Sequence, residues 1–118
     1  MDAQHAEWFA QQWLSAFNQR DLEAMVSHYS EDVEFQSPLA VKLLGNGSGT
    51  IRGKANLKKF FEAALAAFPG NPEVEKLAVF LGVNSLVIHF QAKGRRAAEV
   101  IELNSEGKIR RAMVHVQL

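Results

Sequence analysis

The N-terminal part of the chain carries apolar residues at intervals of three and four, the spacing of an amphipathic α-helix. In the first segment the apolar face is formed by Ala6, Phe9, Ala10, Trp13, Leu14 and Phe17. This helix is predicted to end near Asn18. Asp21 is placed to cap a second helix, whose apolar positions are Leu22, Met25, Val26 and Tyr29. The pattern predicts two helices that meet at a tight corner.

The next segment alternates between apolar and polar positions, which is the period of a strand with one buried face. Val33, Phe35 and Ser37 share the inward face, and Pro38 ends the strand. Residues 39–53 contain four glycines and are predicted to form a long loop or a short hairpin that closes over something. Within it, Asn46-Gly47-Ser48 matches a glycosylation sequon, which we interpret as a chance match because no export signal precedes it.

The second half of the chain begins with a third amphipathic helix and continues with strands. The helix presents Leu57, Phe60, Phe61, Ala64, Leu65 and Phe68 on one face. Residues 69–72, PGNP, end it. Four consecutive strands are predicted at residues 74–82, 85–92, 96–104 and 108–117. The order predicts one α+β domain over residues 1–118, with three N-terminal helices packed on a curved, mostly antiparallel sheet.

One carboxylate falls among apolar positions of the predicted sheet. Glu99 has the same strand parity as Ile101 and Leu103, so it faces the apolar layer. A buried glutamate should have a raised pKa and act either as a neutral hydrogen-bond donor or as a base. Alternatively, a cation or a backbone N–H neutralises it, or it lies at the exposed strand end near Arg95 and Arg96.

Strand parity also assigns the two faces of the other strands. The inward sets are Leu86, Ile88 and Phe90 in one strand and Ala112, Val114 and Val116 in the last. The outward set is Val87, His89, Arg111, Met113, His115 and Gln117. This mixed outer face suits a sheet that packs on a second copy, so a homodimer is predicted, with His89 and His115 as contacts. If the parity is wrong by one residue, both histidines would enter the pocket and supply a base.

Composition excludes several classes of function. Among 118 residues, 13 Lys and Arg balance 13 Asp and Glu, so nucleic acid and anionic membranes are not expected partners. No cysteine is present, so disulfides and thiolate metal sites are excluded. The N-terminus lacks a signal-type apolar run, and we expect a cytoplasmic protein. His5, His28, His89 and His115 lack metal-ligand spacing, so neither metal nor cofactor is predicted.

Short matches over nearly the whole chain resemble the NTF2-like (cystatin-like) superfamily, and within it the SnoaL-like and ketosteroid-isomerase-like branch. The matching pieces are Ala16-Phe17-Asn18, Asp21-Leu22, Glu31-Asp32, Ser37-Pro38, Arg52-Gly53-Lys54-Ala55, Phe60-Phe61, Leu103-Asn104 and Gly107-Lys108-Ile109. The resemblance implies a cone in which the sheet curls around the helices and encloses a mostly apolar pocket. The residues assigned to this pocket are Trp13, Phe17, His28, Tyr29, Phe35, Phe60, Phe61, Ile88, Phe90, Ile101, Val114 and Val116.

The isomerase branch combines a carboxylate base with a tyrosine and a protonated carboxylic acid that bind the enolate oxygen. The resemblance places the base on Ser37, the tyrosine on Trp13 and the acid on Glu99. A serine hydroxyl without a partner is no base at neutral pH, although the tryptophan N–H can still donate a hydrogen bond. The departure at Ser37 therefore argues against steroid isomerisation by that mechanism.

Three functions remain open on the sequence alone. The first is an enzyme that performs isomerisation, aldol cyclisation, dehydration or epoxide hydrolysis on a small hydrophobic molecule, with Glu99 and Ser37 as candidate catalytic residues. The second is a non-catalytic binder of a hydrophobic metabolite in the same cone. The third is a dimeric interaction module that uses the outer face of the sheet.

Overall fold

The computed structural model describes residues 1–45 and 47–118, so Asn46 of the sequon lies outside the described residues. In chain order the elements are α1 Ala3–Asn18, α2 Leu22–Ser27, β1 Tyr29–Gln36, α3 Pro38–Leu44, β2 Thr50–Arg52, α4 Lys54–Ala67, β3 Glu75–Leu81, β4 Ser85–Ala92, β5 Arg95–Leu103 and β6 Ile109–Val116. None of the helices in these two ranges is both long enough and apolar enough to cross a membrane.

The six strands form one mixed sheet in the order β2-β1-β6-β5-β4-β3. β1 runs parallel to β6, and every other neighbouring pair is antiparallel. The four predicted C-terminal strands agree with β3 to β6 to within one residue at each end. The predicted α+β class and the mostly antiparallel sheet are therefore confirmed.

The helices bury their apolar faces against the inner face of this sheet. In α1 the predicted stripe is buried, with Trp13 only 2% exposed and Ala10 fully covered. Asp21 caps α2 as predicted, because its side chain accepts a hydrogen bond from the N–H of Ala24 at 3.1 Å. Aromatic rings from α1, α4 and β1 meet in the core, where Phe61 packs against Phe17 at 5.7 Å between ring centroids.

The corner after α1 differs from the prediction. α2 ends at Ser27, and Tyr29 begins β1 instead of continuing the second helix. Tyr29 pairs with Ile109 of β6, whose N–H donates to the carbonyl of His28 at 2.8 Å. The parallel ladder thus takes the backbone groups that another helical turn would use.

The predicted loop or hairpin over residues 39–53 is also wrong, because it contains the short helix α3 and the strand β2. The chain therefore has four helices in its described part rather than the three predicted. Ser37 is the N-cap of α3, Pro38 occupies its first turn, and Gly45 ends it with a left-handed φ of 62°. The glycines that indicated a loop lie after this helix.

The outer face of the sheet carries the two histidines of β4 and β6. His89 pairs with Ala98 of β5, and Ala98 pairs in turn with His115. The three residues therefore lie side by side on the solvent-facing side, where a shallow depression includes all of them. The inward and outward sets keep the predicted parity, and neither histidine reaches the inside of the cone.

Candidate functional site

A cavity of about 340 Å³ lies between the helices and the inner face of the sheet. This volume is at the lower end of the usual range for small-molecule pockets, about 300–1,000 Å³. Apolar side chains form most of its wall: Trp13, Phe17, Met25, Phe35, Leu39, Phe60, Phe61, Ala64, Leu65, Phe68, Pro72, Val74, Phe90, Ala92 and Val114. The polar lining within the described residues is Arg20, Ser37, Lys93 and Glu99. The composition suits a hydrophobic ligand with few polar groups.

Most of the residues assigned to the site by sequence come together around this cavity. Those that line it are Trp13, Phe17, Phe35, Ser37, Phe60, Phe61, Phe90, Glu99 and Val114. Tyr29, Ile88 and Ile101 are at most 1% exposed and lie in the packed core rather than in the lining. All three pack in the same hydrophobic core as the lining residues.

Two assignments to the pocket differ from the structure. Val116 has the inward parity, but it lies at the end of β6, is 49% exposed and borders the outer depression. His28 caps the C-terminus of α2 and packs edge-on against Phe9, with ring centroids 5.6 Å apart. Burial lowers the pKa of His28, and the positive charge of Lys108 lowers it further. The imidazole is thus neutral at pH 7 and outside the cavity lining.

Glu99 is the buried carboxyl group of the site. It lies in the middle of β5, between Ile88 of β4 and Val114 of β6, and it is 3% exposed. Among the described residues no cation forms an ion pair with it, and its hydrogen bond comes from the hydroxyl of Tyr29 at 3.4 Å. The alternative that a cation neutralises Glu99, or that the residue lies at an exposed strand end, does not agree with this geometry.

A chain of buried hydrogen bonds holds Tyr29 against Glu99. The Nε1–H of Trp13 donates to the hydroxyl oxygen of Tyr29 at 3.2 Å, and the hydroxyl then donates to Oε2 of Glu99. The resemblance placed the tyrosine of the isomerases on Trp13, whereas here Trp13 orients a tyrosine from β1. The sequence assigned Tyr29 to the pocket but gave no local signal for this role, because the pairing of β1 with β6 is irregular between Tyr29 and Glu34.

Burial sets the protonation state of this pair. It raises the pKa of Glu99 to about 8, although the hydrogen bond from Tyr29 partly opposes the shift. Burial also raises the pKa of Tyr29 well above its ordinary value, and the neighbouring carboxyl group adds to that rise. At pH 7 both groups are therefore mostly protonated. Because Tyr29 donates to Oε2, the proton of Glu99 can lie on Oε1 and be donated to a ligand.

Ser37 lines the cavity, but its hydroxyl has a structural partner. Oγ accepts a hydrogen bond from the N–H of Leu39 at 3.2 Å, as expected of the N-cap of α3. Within the described chain no histidine or carboxylate bonds to this hydroxyl, so no group activates it. The same described chain also has no cluster of three His, Asp or Glu side chains that could hold a metal ion.

Two side chains, Arg20 and Asn18, hold neighbouring segments together at the mouth of the cavity, and the sequence patterns did not single out Arg20. The guanidinium of Arg20 donates to the carbonyls of Leu65, Phe68 and Gly70 at 2.6, 2.8 and 3.0 Å. These bonds satisfy carbonyls at the C-terminal end of α4, where a positive charge is favourable. Asn18 acts beside it, since its amide exchanges two hydrogen bonds with the backbone of Val74.

Helices packed on a six-stranded mixed sheet are the architecture that this chain shares with solved structures described as NTF2-like or cystatin-like. A family model described as the SnoaL-like domain matches residues 10–116. The chain therefore belongs to the SnoaL-like family. No curated protein matches it significantly.

Solved structures extend the similarity over the whole chain. A SnoaL-like protein of unknown function from Burkholderia thailandensis is 33% identical, with a TM-score of 0.92 and coverage of 99% of this chain and 98% of that one. SalBIII, described as an epoxide hydrolase/cyclase-like enzyme in pyran ring formation in the polyether salinomycin, is 20% identical, with a TM-score of 0.74 over 99% and 94%. A candidate isomerase of the SnoaL-like family from Agrobacterium tumefaciens is 19% identical, with a TM-score of 0.73 over 96% and 97%.

Proposed function

We propose that this protein is an enzyme that transfers a proton to and from a small hydrophobic molecule, with Glu99 as its acid–base group. The observation that carries the proposal is the buried carboxyl group of Glu99, which lines an apolar cavity and whose pKa is raised by burial to about 8. A neutral acid in such surroundings donates a strong hydrogen bond or a proton to a substrate oxygen. Trp13 and Tyr29 hold it in position and act as positioning residues.

A single carboxyl group is sufficient for several reactions of this kind. Its proton passes to a carbonyl, hydroxyl or epoxide oxygen as a bond to that oxygen polarises or breaks. The resulting carboxylate then takes a proton from the attacking hydroxyl or from a C–H bond of the same substrate, which restores the acid. Cyclisation, epoxide opening, dehydration and isomerisation all fit this scheme. The fold shared with SalBIII supports the first two, since that protein is described as epoxide hydrolase/cyclase-like.

The capping role of the Ser37 hydroxyl argues against a mechanism that uses a separate base. An isomerase that uses a separate base needs a second ionised group, and the hydroxyl of Ser37 is instead the cap of α3. We therefore favour a mechanism in which Glu99 alone both gives and receives the proton.

The test begins with the identification of molecules that co-purify with the native protein, by mass spectrometry. These molecules, together with hydrophobic epoxy alcohols, β-hydroxy ketones and β,γ-unsaturated ketones, are then incubated with the enzyme, and products are followed by liquid chromatography. Glu99→Gln keeps the shape of the side chain and removes the proton, so turnover should fall by at least about 100-fold. The ratio kcat/KM of the wild type should decline above about pH 8, where Glu99 ionises.

Leu103→Ile serves as a control, since it conserves volume on the same strand outside the lining. Unchanged turnover by Glu99→Gln would remove the catalytic role. If the wild type and Glu99→Gln bind the ligand equally and neither forms product, the protein is a non-catalytic binder instead.

A further inference from the structure

The ionisable side chains of the cavity lining are unevenly distributed. Glu99 is 3% exposed and lies deep inside the protein, whereas Arg20 is half-buried and Lys93 is exposed. In the strand register Glu99 faces Ile88, and Lys93 follows Ile88 by five residues. At about 3.3 Å per residue, Lys93 is displaced from Glu99 by about 16 Å along the strand. The described lining thus has a deeply buried acid and two cations, Arg20 and Lys93, that reach solvent.

Arg20 still has free N–H groups after it donates hydrogen bonds to the C-terminal end of α4. A guanidinium has five N–H groups, and three of them donate to the carbonyls at the end of α4. The remaining two, on Nε and Nη2, have no partner among the described residues. Carbonyl oxygens do not cancel the formal charge, and no carboxylate in the described chain forms an ion pair with Arg20.

Lys93 is fixed at the mouth by the turn that it helps to form. It joins Gly94 in a two-residue connection between β4 and β5, and both residues have positive φ values, 52° and 79°. This is the geometry of a type I′ hairpin turn. Lys93 has no ion pair with any described residue. The nearby Glu75 bonds to Gln91 instead.

We propose that the ligand of this cavity is an amphipathic carboxylic acid, with an apolar body in the cavity and its carboxylate between Arg20 and Lys93 at the mouth. The planar pair of free N–H groups on a guanidinium matches the two oxygens of a carboxylate. The apolar wall selects a hydrophobic body. This inference rests on the proposed function for its site, and it names the substrate class of that site.

Binding of two matched compounds tests the inference without any need for turnover. The acid 2-naphthaleneacetic acid and the alcohol 2-(2-naphthyl)ethanol share a ring system and differ in the charged group. Calorimetric titration of the wild type at pH 7 and low salt should give a Kd about tenfold lower for the acid. This preference should shrink as salt is added, because the cations are partly exposed.

Lys93→Asn is the informative variant, because asparagine tolerates the left-handed backbone of this turn. It should weaken binding of the acid about fivefold and leave binding of the alcohol unchanged. Lys59→Gln is the matched control, since Lys59 is an exposed α4 residue outside the lining and the charge change is the same. Ala64→Trp, which fills the cavity, should weaken binding of both compounds.

Equal affinity of the wild type for acid and alcohol, an acid preference that Lys93→Asn leaves undiminished, or acid binding that Ala64→Trp does not weaken would each overturn the inference. Absence of binding by either compound at millimolar concentration would also count against it. Glu99→Gln should keep the acid preference, because a neutral amide replaces a neutral acid. If the acid is not preferred over the alcohol, the proposed proton-transfer role of Glu99 is unaffected. If Glu99→Gln does not reduce turnover, the proposed carboxylate site at Arg20 and Lys93 is unaffected.

Discussion

Replacement of Glu99 by glutamine should change how the stability of the protein depends on pH. The pKa of Glu99 rises from 4.5 to about 8 on folding, because burial disfavours the carboxylate. The folded state therefore binds this proton more tightly than the unfolded chain does. Its contribution to stability is complete below pH 4.5, declines as pH rises and is lost above about pH 8.

The size of the effect follows from the shift. Each pKa unit corresponds to about 1.4 kcal/mol, so a rise from 4.5 to about 8 gives about 5 kcal/mol between the two pH limits. At pH 7 about 3 kcal/mol of this is already lost. Glutamine carries no proton that titrates, so Glu99→Gln should not show this decline. The variant should therefore gain stability relative to the wild type as pH increases.

Urea unfolding of both proteins at a series of pH values measures the effect. The difference between their free energies of unfolding should increase by about 4 kcal/mol between pH 5 and pH 9, in favour of the variant. Other titrating groups are shared by both proteins, and their contributions cancel in the difference; His28, whose pKa burial lowers, is one of them. Parallel curves would show that Glu99 ionises as a solvated glutamate does, and the basis for its role as an acid would be lost.

Two further substitutions test the roles of Tyr29 and Ser37. Tyr29→Phe removes the hydrogen bond that opposes the shift, so the pKa of Glu99 should rise further. The pH at which the same difference curve levels off, measured against a Tyr29→Phe/Glu99→Gln double variant, should therefore move above 8, and a downward movement would contradict this. Tyr29→Phe should also destabilise the fold by about 1–3 kcal/mol, because the buried N–H of Trp13 loses its acceptor. Ser37→Ala removes the cap of α3 and should reduce the free energy of unfolding by about 1 kcal/mol with turnover retained. A large loss of turnover at nearly unchanged stability would instead place Ser37 in the chemistry.

Local periodicity was sufficient for the elements that have one buried face. The stripe of α1 is regular over three turns, and β4 has the predicted bounds because turn signals flank it on both sides. Parity within β5 was also sufficient to place Glu99 on the inner face. These features depend on the nearest residues along the chain, which is the information that a single sequence contains.

Features that depend on distant pairing could not be predicted in this way. Tyr29 has helical spacing to α2, and only its pairing with β6, eighty residues later, makes it part of a strand. The helix α3 has a capping serine and a proline at its start, but the glycines beyond it dominated the pattern. Arg20 was missed because its partners are backbone carbonyls, which no residue type reveals.

The surroundings of Glu99 decide which reactions are open to it. With a pKa of about 8, roughly one molecule in ten is ionised at pH 7, so a reaction that starts with a carboxylate base begins from a minor state. A hydrophobic ligand that displaces water from the cavity disfavours the carboxylate further. Ligand binding therefore strengthens the acid form when it is needed. A reaction that begins with protonation of a substrate oxygen gains from this coupling, whereas one that begins with proton abstraction by Glu99 is slowed by it. In the proposed mechanism, the serine at position 37 therefore leaves the site without a separate base, and binding of a hydrophobic substrate would favour the acid form of Glu99.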